Sequence, residues 1–214
     1  LPIQINDPEK RLDLVYIGDL LEEFLAALEG NPHMGIDGFC YVPMVHSLTL
    51  QELADILTSF KSSRGTLMLP DFGRPLVRAL YATYVSYLPE NEFAYQPEMK
   101  RDDRGWLAEL LKQPGFGQIF VSRTKPGITR GNHWHHTKVE KFIVIEGEAV
   151  IRFRKVGGEE VLEYPVNGNA LSIVDIPTGY THSITNVGNT DVVTLFWSDE
   201  VFNPARTDTY WLEV

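Results

Sequence analysis

The chain has 214 residues and is 43% hydrophobic, an ordinary soluble composition that can bury a substantial core in one large domain or two small ones. Its formal charge of -10 and pI near 5.0 argue against nucleic acid or an anionic membrane as partner, because no strong basic cluster offsets the repulsion. No charged-then-apolar leader or membrane-length apolar run is present, and the single cysteine, Cys40, cannot close an internal disulfide; a cytoplasmic protein with Cys40 as a small core residue is expected.

In chain order, the sequence opens on Leu1-Pro-Ile-Gln-Ile5, strand-like and without an initiating Met, which points to a piece of a longer protein. Leu12 to Ile17 reads as a short apolar strand. Asp19 then caps a segment in which Leu20, Leu21, Phe24, Leu25 and Leu28 recur at helical spacing, and Gly30 stops it. Thr49 opens a second helix with an apolar face of Leu53, Ile56, Leu57 and Phe60, and Glu52 completes a capping box. A third helix is expected over Pro75 to Tyr87, its Leu, Val and Tyr content serving a core. Leu88 to about Pro97 is a linker by composition.

From Gln118 the texture changes to short β-rich segments. These are Gln118–Ser122, Glu140–Glu146, Ala149–Lys155, Glu160–Tyr164, Leu171–Ile176, His182–Thr185 and Val192–Trp197. Turn signals such as Glu146-Gly-Glu148 and Asn167-Gly-Asn169 separate them, the pattern of a β-sandwich or barrel. Phe142 to Ile145 is apolar on both faces, so one face should line the interior and a symmetric partner subunit could cover the other.

Within this half, His133 and His135 are two apart, so on an extended strand both rings share one face. Glu140 has the opposite parity and joins them only if His136 to Val139 form a turn and Glu140 begins the returning strand. His182, entered through Pro177-Thr-Gly179, can be aimed at the same interior. Three imidazoles and a carboxylate suit zinc, iron, manganese, nickel or copper, and spacing does not choose among them. Lys138 and Tyr180 flank this set and are the candidate acid and base; His136 is placed at the surface or behind the ligands.

The motifs Gly127-x5-His133-x-His135-x4-Glu140-x6-Gly147 and Pro177-x-Gly-x-x-His182-x3-Asn186 resemble the two cupin motifs, with Leu171 where the second motif usually opens on glycine. The resemblance covers about residues 98–214 and implies a cupin β-barrel of the jelly-roll type. Leu12 to Leu20, Glu22 to Phe24 and Leu48 to Ala54 resemble the substrate-binding part of an extended short-chain dehydrogenase/reductase, so residues 1–97 are expected to be a mostly helical remnant of such a domain. Its dinucleotide-binding glycines and Tyr-x-x-x-Lys pair are missing, so the reductase half is not competent in this chain and NADPH is expected only in a longer parent.

Together the halves, and the terminal Asp208-Thr-Tyr-Trp-Leu-Glu-Val214, resemble the bifunctional UDP-sugar epimerase/reductases of capsular polysaccharide synthesis. That resemblance implies zinc at His133, His135, Glu140 and His182, C3 epimerisation of a UDP-linked 4-keto-6-deoxy-N-acetylhexosamine, and a homodimer through the cupin. By the same resemblance Arg74 and Arg78 are candidates for a diphosphate contact. Asp102 to Glu109 and Arg130 to His133 also resemble metal-free deoxysugar 3,5-epimerases, which would put a catalytic histidine at His133, but Thr194 to Phe202 holds no tyrosine to match theirs. A metal-dependent cupin oxygenase and a non-catalytic sugar-binding module remain the competing readings.

Overall fold

The computed structural model describes residues 3–214, so Leu1 and Pro2 of the expected opening strand lie outside it; Ile3 to Ile5 form no strand. The chain divides into two compact units: residues 1–66 with 70–94, and residues 67–69 with 95–214.

In the first unit, β1 (Arg11–Leu14) pairs antiparallel with β2 (His46–Thr49), and the described residues form the α-helices α1 (Ile17–Leu28), α2 (Leu50–Thr66) and α3 (Pro75–Ser86) and a 3-10 turn at Glu90–Glu92. The α2 start is the expected capping box: Thr49 N–H donates to Glu52 Oε2 at 2.7 Å and Glu52 N–H donates to Thr49 Oγ1 at 3.1 Å. α1 begins earlier than expected, with Tyr16 at its cap and Asp19 inside the first turn, and ends where Gly30 adopts φ +83. Phe60 and Val77 anchor the small core, with Tyr81 and Tyr84 packed around Phe60. Cys40 corrects its expectation. It is exposed, Sγ 3.5 Å from Met34 Sδ, in a loop with few buried neighbours to receive it.

The second unit is mostly β. β3 (Met99–Asp102), β4 (Gly105–Gln113), β5 (Gly117–Thr124), β6 (Thr129–Trp134), β7 (Glu140–Glu146), β8 (Glu148–Lys155), β9 (Val161–Asn167), β10 (Ile173–Ile176), β11 (Tyr180–Asn186), β12 (Val192–Ser198) and β13 (Tyr210–Trp211) form two antiparallel sheets. One runs β10-β7-β12-β5-β4-β3 and the other β13-β6-β11-β8-β9. Inward residues of both build one core, including Phe142, Val144, Val174, Ile176 and Phe196 from the first and Ile151, Phe153, Val166 and Ile184 from the second. The expected barrel is therefore not closed: the ladders end at β10 and β3 in one sheet and at β9 and β13 in the other. β9 carries Pro165, which has no N–H to extend a ladder.

Candidate metal centre

The arms that carry the candidate ligands are shaped by a local irregularity in β6. Gly131 sits at φ +100 and Asn132 at φ 58, and the pairing of β11 with β6 shifts between His182 and Ser183, so β6 carries an extra residue there. A Cβ on Gly131 would lie 2.6 Å from the His182 carbonyl oxygen, so only glycine fits this approach. Beyond the bulge His133 faces His182 directly, with ring centroids 4.6 Å apart, and His135 follows at 5.0 Å from His133. Residues 136–139 turn the chain, and Glu140 opens β7. β7 does not return beside β6 as a hairpin; it belongs to the opposing sheet. His133 and His182 thus come from one sheet, His135 from the residue that follows β6, and the carboxylate from the other sheet, and one candidate ligand atom from each of the four residues lies within 4.8 Å of the rest.

Burial and charge at this point favour a cation. His135, His182 and Glu140 are buried. Burial, with His182 and His135 alongside, pushes His133 down to about 4, so its ring is neutral at pH 7. Burial alone would raise the Glu140 carboxyl; protons on the facing nitrogens of His135 and His182, with the Lys138 charge, would outweigh it and hold the group well below the usual carboxylate range, and a cation at this point would take the place of those protons. His135 Nδ1 lies 2.5 Å from the main-chain oxygen of Asp208, which can only accept, so Nδ1 carries the proton. In the neutral ring Nε2 then points a lone pair at Glu140 Oε2, 3.3 Å away. His182 Nε2 is 3.6 Å from the same oxygen, and both its ring nitrogens are buried without a hydrogen-bond partner. Converging acceptors around one buried point fit a divalent cation, and the donor set is one that could hold it.

Around the four, Lys138 Nζ lies 3.7 Å from Glu140 Oε1 and 3.2 Å from Thr209 Oγ1. Tyr180 packs on the hydrophobic core and walls a cavity of about 540 Å³ whose lining includes Tyr164, Asp175 and Phe153. The Phe153 ring is 6.5 Å from that of His182. His136 is exposed, its ring against Trp134 and Tyr210. In the first unit Arg78 donates to the Phe72 carbonyl and borders a 430 Å³ pocket with Tyr16, Asp19 and His46, while Arg74 caps α3. Arg152 pairs with Glu163, and Arg154 binds the carbonyls of Gly158 and Glu213.

Sequence reasoning assigned no role to three features of the second unit. The Asp208 carboxylate accepts from the main-chain N–H of His136 (2.9 Å), Thr137 (2.7 Å) and Lys138 (2.9 Å) and from Thr137 Oγ1 (3.0 Å). Trp211 pairs with His133, so its ring shares the face of the sheet that bears the ligands, and it is 76% exposed. A bulge in β4 between Glu109 and Leu111 turns Glu109 and Lys112 to one face, where they form a 2.5 Å ion pair. That face continues through Gln118 and Ser198 to Glu140.

A family model for the polysaccharide biosynthesis C-terminal domain matches residues 100–210. A Pseudomonas aeruginosa protein named UDP-2-acetamido-2,6-beta-L-arabino-hexul-4-ose reductase is 40% identical over 210 residues, covering 98% of this chain and 56% of that protein. The spore coat polysaccharide biosynthesis protein SpsL of Bacillus subtilis is 26% identical over 118 residues, 50% of this chain and 78% of that protein. Among solved structures, the capsular polysaccharide assembling protein CapF of Staphylococcus aureus superposes with a TM-score of 0.94 at 49% identity, covering 99% of this chain and 57% of that one. CapF with the inhibitor 3-isopropenyl-tropolone gives 0.96 at 49% identity, covering 99% of this chain and 61% of that one. The chain thus spans less than two thirds of the length of the Pseudomonas relative and of both CapF chains.

Proposed function

This chain belongs to the polysaccharide biosynthesis C-terminal domain family, and on that premise we propose that it epimerises C3 of a UDP-linked 4-keto-6-deoxy-N-acetylhexosamine with the help of a metal ion. The observation that carries the reading is the buried meeting of His133, His135 and His182 with Glu140. The Pseudomonas relative supports the substrate class, since its name specifies a UDP-linked 2-acetamido hexul-4-ose.

Epimerisation beside a ketone removes a proton from one face of C3 and returns one to the other. A bound cation supplies Lewis-acid polarisation of the C4 ketone; zinc is proposed, with iron, manganese and nickel as alternatives. His133, His135, Glu140 and His182 would hold it. Lys138, on the ligand turn, and Tyr180, two residues ahead of His182, are the proposed proton carriers, and their origin on different arms suits traffic at two faces. Trp211 offers a ring for stacking a sugar or base beside His133. Reduction by NADPH is assigned only to a longer parent. In such a parent, α1 residues Leu21, Phe24, Leu25 and Leu28, all exposed here, would meet the dinucleotide-binding half.

The test is proton NMR of the metal-loaded chain with that substrate in D2O, beside His135→Ala. Deuterium entering C3 with the unaltered chain and not with the variant is expected. Retention of the C3 proton in both overturns the reading; oxygen uptake with bound iron would instead mark an oxygenase, and substrate binding without exchange a sugar-binding module.

A further inference from the structure

We infer that Asp208 is a positioning residue for the metal centre: its carboxylate fixes the turn that carries the ligands, and its main-chain oxygen fixes which nitrogen of His135 is free to bind. The inference rests on the metal reading proposed above.

Residues 136–139 join the two sheets, with His135 at one end of the turn and Glu140 at the other. The ligand spacing therefore depends on how rigid those four residues are. Their main-chain N–H groups are all occupied by carboxylates from one distant segment: His136, Thr137 and Lys138 donate to Asp208, and Val139 donates to Asp199 Oδ1 at 3.0 Å. Three successive N–H groups on one anion form a nest, and such charge-assisted bonds are among the stronger ones a turn can make.

The second contact is more selective. The Asp208 carbonyl has no proton to give, so His135 must donate through Nδ1, and Nε2 is left as the ligand atom on the side of Glu140 and His182. Asp208 is in turn held by the last residues of the chain. Tyr210 and Trp211 pair with Trp134 and His133, Leu212 N–H donates to the Asn132 carbonyl at 3.0 Å, and the Leu212 carbonyl accepts from Thr181 Oγ1. The terminal segment thus grips both histidine strands, β6 and β11, and places Asp208 behind the ligands.

Zinc affinity of the full chain, measured by competition with a chromophoric chelator, tests this in Asp208→Ala and Asp208→Asn, with Co(II) absorption as the geometric readout. Loss of about 10- to 100-fold in affinity is expected for Asp208→Ala, with an altered Co(II) spectrum and partial rescue in Asp208→Asn, which keeps one acceptor oxygen. A cap that only stabilised the fold would lower the melting temperature and leave the spectrum unchanged. Ring 15N NMR of the unaltered chain needs no variant to fold, and a proton on His135 Nδ1 is expected. Unchanged zinc affinity and Co(II) spectrum in Asp208→Ala, or a proton on Nε2 instead, overturns the role of Asp208 alone. Failure of the unaltered chain to bind either metal overturns the metal reading and this inference with it.

Discussion

His182 has two buried ring nitrogens and no hydrogen-bond partner for either, a state that costs roughly 1–3 kcal/mol per unsatisfied group. His182→Leu, close in volume and apolar, should therefore stabilise the metal-free chain by about 1 kcal/mol in urea denaturation while abolishing zinc binding; destabilisation of the metal-free variant would count against a site kept for a ligand. The grouping of His133, His135, Glu140 and His182 was legible because histidine and glutamate spacing is written in side chains. Asp208 was not, because its partners are main-chain N–H groups, which nearly every residue carries. Glu23 makes a further residue-scale case: it accepts from the His33 N–H at 2.6 Å and from its ring at 2.7 Å, and these bonds hold its carboxyl below the ordinary 4.5. A depressed carboxyl stabilises the fold above its unfolded value and loses that contribution as pH falls through its folded one. Helical circular dichroism of the chain should accordingly decline below pH 4.5, with a shallower dependence in Glu23→Gln.

At the scale of elements, the bulge of Gly131 and Asn132 decides whether His133 meets His182. Gly131→Ala would need φ +100 from a residue with a Cβ and would drive that Cβ to 2.6 Å from the His182 carbonyl oxygen. A loss of roughly 1–3 kcal/mol is expected, on the scale of other strained backbone positions, together with weaker zinc binding; an unchanged melting temperature would mean the strands slip without strain. β7, β8 and β12 were readable from the sequence because their apolar runs end at glycine or polar turns. β4 was not. Leu107 to Lys112 consists of good helix formers, and only its pairing with β3 and β5 makes it a strand. The capping box at Thr49 was legible because both partners lie three residues apart and need nothing from the rest of the fold.

For the whole molecule, the outer face of the six-stranded sheet presents an apolar row, Ile173, Ile143, Leu195 and Val121, aligned by the registers of three strand pairs. A twofold partner laid on this face is the expected cover, so the chain should sediment as a dimer and Leu195→Lys as a monomer; a monomeric unaltered chain would rule the interface out. The alternation of Phe142 to Ile145 announced two apolar faces, but which face met the core was settled only by pairing with β12. The division of the donors between the two sheets has a mechanical consequence. An ion held by both leaves is a cross-link, so its binding energy opposes their separation and adds to fold stability by mass action. Zinc should slow amide hydrogen exchange in β7 and β11 together, though no ladder bond joins them, and a chelator should release both leaves at one concentration.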